Sequence, residues 1–238
     1  MTNLERLAGG VERVLSEEVG RIFAEVPYAG HLTGGDDLDD AYYLRHRVET
    51  IRRIRMTSKT DALALFHMVG EDYDAARRWA HYTAQELNHD LLYMKDLRRH
   101  GMTDEAVAAV EPFASTAAMV DYLLIMINLT GALPAVAYSL FVEWNSARGS
   151  ARVVEKAERK YSGAHVAGSR AHVGIDDDQD HYAMVLDIAH RLLARGGGGE
   201  EQLFGLLREI AGFFRVYFKE LYEHTIARRD RESAVIAV

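Results

Sequence analysis

The stretch AQELNHDLLYMKDLRRHG, residues 84–101, reads as the closing part of a helix. Apolar side chains recur at helical spacing, and Gly101 supplies a natural C-terminal stop. Glu86 and His89 are three apart, so on a helix they project about 60° from one another, on one face. Leu92 and Tyr93 continue that side one turn on. A Glu-x-x-His pair on a bundle helix is a recurring way for a carboxylate and an imidazole to share a metal. It is equally an ordinary surface pair, so the rest of the chain has to decide.

Working outward, helical patterning runs almost throughout, and strand-type alternation is hard to find. Three prolines in 238 residues leave long stretches unbroken. Helices are predicted over about 3–25, 39–56, 60–69, 71–100, 115–130, 134–147, 150–173, 177–195 and 200–229. Ser58 or Thr60 is placed to cap the third of these, Gly131 and Gly149 to end two others, and Pro134 to start one. The GGGG run at 196–199 is the one linker-like segment, and the single helix beyond it is too little for a domain. The expectation is one all-α bundle over 1–238, of seven to nine helices, with its chemistry in about 60–195.

Composition excludes several classes of function. A net charge of −8 argues against nucleic acid, whose phosphates demand concentrated Lys and Arg. With no cysteine, there are no disulfides, thiolate metal sites, iron–sulfur clusters or cysteine nucleophiles. The most apolar segment, AAMVDYLLIMINLTGALPAVAYSLFV, is interrupted by Asp121, Asn128 and Pro134, so it reads as two buried helices and not a membrane span. The N-terminus lacks the basic-then-apolar pattern of a signal peptide, and a cytoplasmic location is expected.

Two further places carry candidate chemistry. Glu143 follows PAVAYSLFV on a helix apolar on most sides, where a carboxylate is costly unless it is paired or holds a cation. HVGIDDDQDH, residues 172–181, sets four aspartates between two histidines. His172 and Asp176 are four apart and share a face, with Asp180 within about 80° of it, whereas His181 projects nearly opposite. A regular helix therefore presents His172, Asp176 and Asp180 together. A break near Gly174–Asp178 would bring His181 round instead, and the acidic run, a poor helix former, permits one. Glu86, His89, Glu143, His172, Asp176 and either Asp180 or His181 make a donor set of oxygen and nitrogen without sulfur, suited to iron or manganese between bundle helices.

These segments together resemble the heme-oxygenase-like diiron oxidases and oxygenases, a superfamily that shares its bundle with thiaminase-II-like and pyrroloquinoline-quinone-synthase-like proteins. ELNHDLLYMKDLRRHG is similar to that family's first core helix, PAVAYSLFVE to its second, and HVGIDDDQDH to its third, which usually reads His-x-x-x-Asp-x-x-His. Gln179 stands where the last histidine belongs and His181 comes two residues late. The family's usual imidazole there favours the break and His181, and an extra carboxylate in this helix, as some members carry, would let Asp180 serve as well. The resemblance implies two Fe(II) per chain, dioxygen as co-substrate, an electron donor for the iron, and a small amine- or carboxylate-bearing, amino-acid-like substrate. It implies N-oxygenation or oxidative C–C or C–N cleavage, often in natural-product pathways, and is compatible with a homodimer. The alternative is a metal-free enzyme or ligand-binding protein on the same bundle, although thiaminase-like members need a cysteine this chain lacks. Arg52, Arg55, Lys59 and Arg170 are candidate counter-charges for a substrate, and Trp79, Tyr82, Phe141 and Trp144 candidate pocket aromatics.

Overall fold

The computed structural model describes residues 2–35, 37–196 and 199–236, with only the backbone described at 176–179 and 234–236. Eleven α-helical segments follow one another among these residues: α1 (Asn3–Glu25), α2 (Asp40–Glu71), α3 (Tyr73–Glu86), α4 (His89–Arg99), α5 (Asp104–Ala109), α6 (Ala114–Thr130), α7 (Leu133–Lys160), α8 (Ala167–Gln179), α9 (His181–Gly196), α10 (Gly199–Tyr222) and α11 (Arg228–Ile236). A π-helical turn, Glu223–Ala227, carries α10 on into α11, and Asp180 alone parts α8 from α9. The fold is all-α, and no strand occurs among the described residues.

Two of the predicted ends are absent. α2 runs straight through Thr57, Ser58 and Thr60, because their hydroxyls turn back onto carbonyls of their own helix: Thr57 onto Arg53 O (3.0 Å), Ser58 onto Arg55 O (2.8 Å) and Thr60 onto Thr57 O (2.7 Å). A hydroxyl that bonds back in this way stays inside a helix instead of capping the next one. α7 likewise passes Gly149, whose cost of about 1 kcal/mol in a helix is small beside the packing of the apolar first half of α7. The helix ends instead at Tyr161, before a single 3-10 turn, Gly163–His165. Gly131 does end α6 as predicted. It sits at φ +87°, a conformation open to glycine at little cost, and its amide closes on Ile127 O.

α1 packs on α10, α2 against α3, α4 and α6, and α7 against α8, α9 and α10. One apolar cluster joins them, from Leu7 and Leu15 of α1 through Tyr42 and Met68 of α2, Trp79, Leu123, Leu140 and Ile188 to Leu207 of α10. Each such fully buried side chain contributes about 1.5–3 kcal/mol of transfer free energy. A smaller cluster, Val48, Ile51, Met94, Leu97 and Val107, sits where α4 and α5 cover α2.

The contact that matters most to the site is that between α4 and α8. Asp96 of α4 is 1% exposed and receives the first amides of α8: Gly168 N and Ser169 N, each at 2.7 Å, with the Ser169 hydroxyl also at 2.7 Å. A carboxylate at a helix N-terminus satisfies donors that have no partner within the helix and meets the positive end of its dipole. Gly168 allows the close approach: a Cβ there would lie 1.9 Å from Leu92 O.

Candidate metal centre

α3, α4, α7, α8 and α9 each bring one polar side chain to a common point in the bundle. Glu86 is the last residue of α3 and His89 the first of α4, so the Glu-x-x-His pair spans a joint, not a regular helix. At Leu87–Asn88 the bonding tightens, with Asn88 N closing on Gln85 O and Leu91 N on Asn88 O. His89 Nδ1 lies 3.0 Å from Glu86 Oε2, and His181 Nδ1 lies 3.2 Å from Glu86 Oε1. The Glu86 carboxylate thus stands between two imidazoles, one oxygen toward each. The His172 ring centroid is 4.1 Å from that of His89, and His181 stacks on His89 at 6.2 Å. Ligand atoms of Glu86, Glu143 and His181 lie within 4.8 Å of one another. His89, Glu143, His172 and His181 are all buried, and Glu86 is partly so.

The break that brings His181 inward falls at Asp180, which takes φ +44°. Its carboxylate accepts from Ala183 N at 3.1 Å and caps α9, so the Asp180 side chain is exposed and outside the cluster. The structure brings the His181 ring to the cluster and leaves Asp180 outside it. The Asp176 side chain, expected as a ligand, lies outside the described residues, as do those of Asp177, Asp178 and Gln179. Asp180→Ala is therefore expected to lose a cap and keep a strained φ, destabilising by about 1–2 kcal/mol, while leaving iron uptake intact. His181→Ala should leave thermal stability closer to wild type and lower the iron content. Iron lost from the Asp180 variant but not from the His181 variant would reverse the assignment.

The electrostatics of the cluster fit a bound cation. Burial pushes the Glu86 carboxyl up, but the hydrogen bonds of His181 and His89 and the fields of His89 and His172 outweigh it and hold it below the usual range. His181 faces oxygen on both sides, Gln85 Oε1 at 2.9 Å from Nε2 and Glu86 Oε1 at 3.2 Å from Nδ1. A neutral imidazole carries one N–H, which serves one of these two oxygens. Tyr82 donates to Glu143 Oε1 at 2.7 Å. Burial and the nearby Glu143 and Glu86 carboxylates push the Tyr82 hydroxyl well up, so it stays a donor.

Sequence reasoning did not single out Asp61 of α2, a carboxyl pushed up to about 7 by burial and by the charge of Glu86. With a helix start expected at Ser58 or Thr60, Asp61 reads as a first-turn acid. Only the unbroken α2 makes it a mid-helix one.

A cavity of about 350 Å³ opens beside the cluster. Glu86, Glu143 and His172 line one part of it, and Ile22, Phe141, Trp144, Phe214 and Phe218 line much of the remainder. Of the predicted aromatics, Phe141 and Trp144 reach it, Tyr82 serves Glu143, and Trp79 is core, its indole N–H on Asp61 O. The predicted counter-charges do not line it. Arg52 reaches Ala108 O, Arg55 pairs with Asp90, Arg170 pairs with Glu158, and Lys59 is exposed. Among the described residues four arginines enter the cavity wall, Arg47, Arg53, Arg148 and Arg152, and of these Arg47 and Arg53 are buried.

Solved structures define the class. A domain of unknown function with a heme oxygenase-like fold from Shewanella denitrificans matches with a TM-score of 0.75 at 17% identity, covering 94% of each chain. A TenA homolog from Pseudomonas syringae pv. tomato matches at 0.72 and 15%, covering 91% of this chain and 93% of that one. A TenA homologue from P. horikoshii matches at 0.68 and 16%, covering 91% and 98%. At such identities the likeness is one of fold: this is a heme-oxygenase-like helical bundle. No curated protein matches the chain. Residues 52–211, which hold every residue of the cluster, match the family described as iron-containing redox enzymes, and the chain belongs to that family.

Proposed function

We propose that the protein is a non-heme diiron enzyme that uses dioxygen to oxidise a small amine- or carboxylate-bearing molecule, by N-oxygenation or by oxidative C–C or C–N cleavage. The observation that carries this reading is the convergence of two carboxylates and three imidazoles, from five helices, at the edge of a small-molecule cavity. The donor set has oxygen and nitrogen and no sulfur, which suits iron in this setting.

Glu86, His89, Glu143, His172 and His181 would hold the metal, with one Glu86 oxygen toward His89 and the other toward His181. Bound iron would supply the electrons that dioxygen needs before it can react with a closed-shell organic molecule. The chain's own part is positioning. Tyr82 holds its proton toward Glu143 Oε1 and so fixes the orientation of that carboxylate. Gln85 Oε1 faces His181 Nε2, which leaves Nδ1 turned toward Glu86. Such partners behind the ligands set ring orientation and basicity. The apolar walls from α1, α7 and α10 exclude water from the substrate's body.

Anaerobic titration with Fe(II) is expected to saturate at about two ions per chain, as in carboxylate-bridged bundle sites. The loaded protein should then consume dioxygen in an oxygen-electrode assay, and the iron-free protein should not. A titration showing no iron uptake would remove this reading and leave a metal-free bundle.

A further inference from the structure

One side of α2 forms a wall of the cavity with His46, Arg47, Thr50 and Arg53. Both guanidiniums are buried, Arg47 at 7% exposure and Arg53 at 8%. Arginine cannot relieve burial by giving up its proton, so a buried guanidinium is costly until an anion meets it. Among the described residues neither one is in an ion pair, and the nearby carboxylates are engaged elsewhere. Glu49 takes Arg45 at 2.7 Å together with Phe113 N and the Thr116 hydroxyl, and Asp96 takes the start of α8.

Aromatic rings hold the two cations in place. Arg47 lies over Tyr43 and Tyr93 at 5.2 and 5.0 Å, and Arg53 over Phe214 and Tyr217 at 5.1 and 5.4 Å. Cation–π contacts of this kind hold a guanidinium in position, and the hydroxyls of Tyr43 and Tyr138 take part of the N–H capacity of Arg47 and Arg53 respectively. Among the described residues Arg47 Nε and Arg53 Nη1 are buried with no acceptor. Burial, then the charges of Arg47 and Arg53, hold His46 well below the usual histidine range. Among the described residues the acids lining the cavity are Glu86 and Glu143, both in the metal-centre cluster.

We propose that Arg47 and Arg53 bind the carboxylate of the substrate, a small organic acid whose apolar body lies along Ile22, Phe141 and Phe214 with its reacting end toward Glu86, Glu143 and His172. That the ligand is a substrate rests on the proposed function; its binding needs only the arginines. A carboxylate offers two coplanar oxygens, the geometry guanidinium N–H groups match best. The volume, about 350 Å³, is near the lower end for small-molecule sites and suits such an acid.

The test uses the full chain stripped of iron by chelation, so that no metal can hold the acid, and isothermal titration. The probes are the straight-chain acids from butanoate to dodecanoate, 3-phenylpropionate and phenylalanine, each beside its primary amide, and phenyl phosphate. At least one acid should bind with a Kd below about 1 mM, with its amide weaker by about tenfold or more. Arg47→Met and Arg53→Met should each weaken that acid by about tenfold or more and leave Fe(II) uptake unchanged. If a methionine variant fails to fold, Arg47→Lys or Arg53→Lys keeps the charge, loses the planar fork, and should still weaken binding severalfold. Equal binding of acid and amide, variants that bind like wild type, no acid bound below about 1 mM, or phenyl phosphate bound more tightly than 3-phenylpropionate would each overturn the proposal. A protein that binds acids through these arginines but takes no Fe(II) would keep the subsite and sink the diiron reading; the converse outcome would do the reverse.

Discussion

Glu143→Ala should leave the bundle folded, remove at least one bound iron and lower activity by about a thousandfold or more, the order expected when an interaction essential to the reaction is deleted. The argument rests on what the side chain costs where it stands. Glu143 is 4% exposed on α7, between Phe141 and Trp144, and carries a carboxylate that burial disfavours. Its loss strands the Tyr82 hydroxyl, at about 1–3 kcal/mol, but also removes the expense of a buried acid, so the net change in stability is small. Circular dichroism with iron quantification separates the outcomes. A metal-replete, active Glu143→Ala protein would show that the carboxylate plays no part in the centre.

The second large effect lies outside the cluster. Asp96→Ala is expected to destabilise the protein by about 3 kcal/mol or more, because three donors at the start of α8 lose their acceptor in a buried setting. For a chain of this length that corresponds to a fall in Tm of roughly 6–12 °C. The change should also reach the metal centre. Asp96 and His89 are both on α4, and Asp96 holds the helix that carries His172, so freeing α8 should part the two rings now 4.1 Å apart. Asp96→Asn keeps one acceptor oxygen and should fall between. Differential scanning calorimetry of the iron-free proteins measures the effect, and a loss below about 1 kcal/mol would mean the contact is ornamental.

The reason so much of the cluster was legible in the sequence is that its members are costly where they stand. Glu143 is conspicuous because PAVAYSLFV leaves it nowhere polar to go, and His172 and His181 because an acidic run between them weakens the helix. The helix break itself was anticipated a few residues early. It falls at Asp180 because an aspartate there tolerates φ +44° and caps α9 at once. Other features left no such trace. Arg47 and Arg53 stand among several arginines of α2, and only the packing of α4 and α10 decides which of them are buried. The joint at Leu87–Asn88 has neither proline nor glycine to announce it, and Asp96 looks like any acid on a basic helix until α8 arrives. Ser58 and Thr60 misled for a definite reason: a hydroxyl can cap a helix or bond back within one, and local sequence does not distinguish the two.

The continuity of α2 through Thr57, Ser58 and Thr60 has a consequence for what the cavity can accept. Arg53 and Asp61, which feels the charge of Glu86, stand eight residues apart on one uninterrupted rod, a rise of about 12 Å along its axis. α2 is therefore a gauge. If Arg53 holds the acid's carboxylate and Glu86 the metal, as proposed, the span between them follows the backbone rise of α2, which no side-chain exchange alters. Substitutions at Phe141 of α7 or Phe214 and Phe218 of α10 can widen or narrow the admissible molecule. Its length is engraved in the helix opposite them.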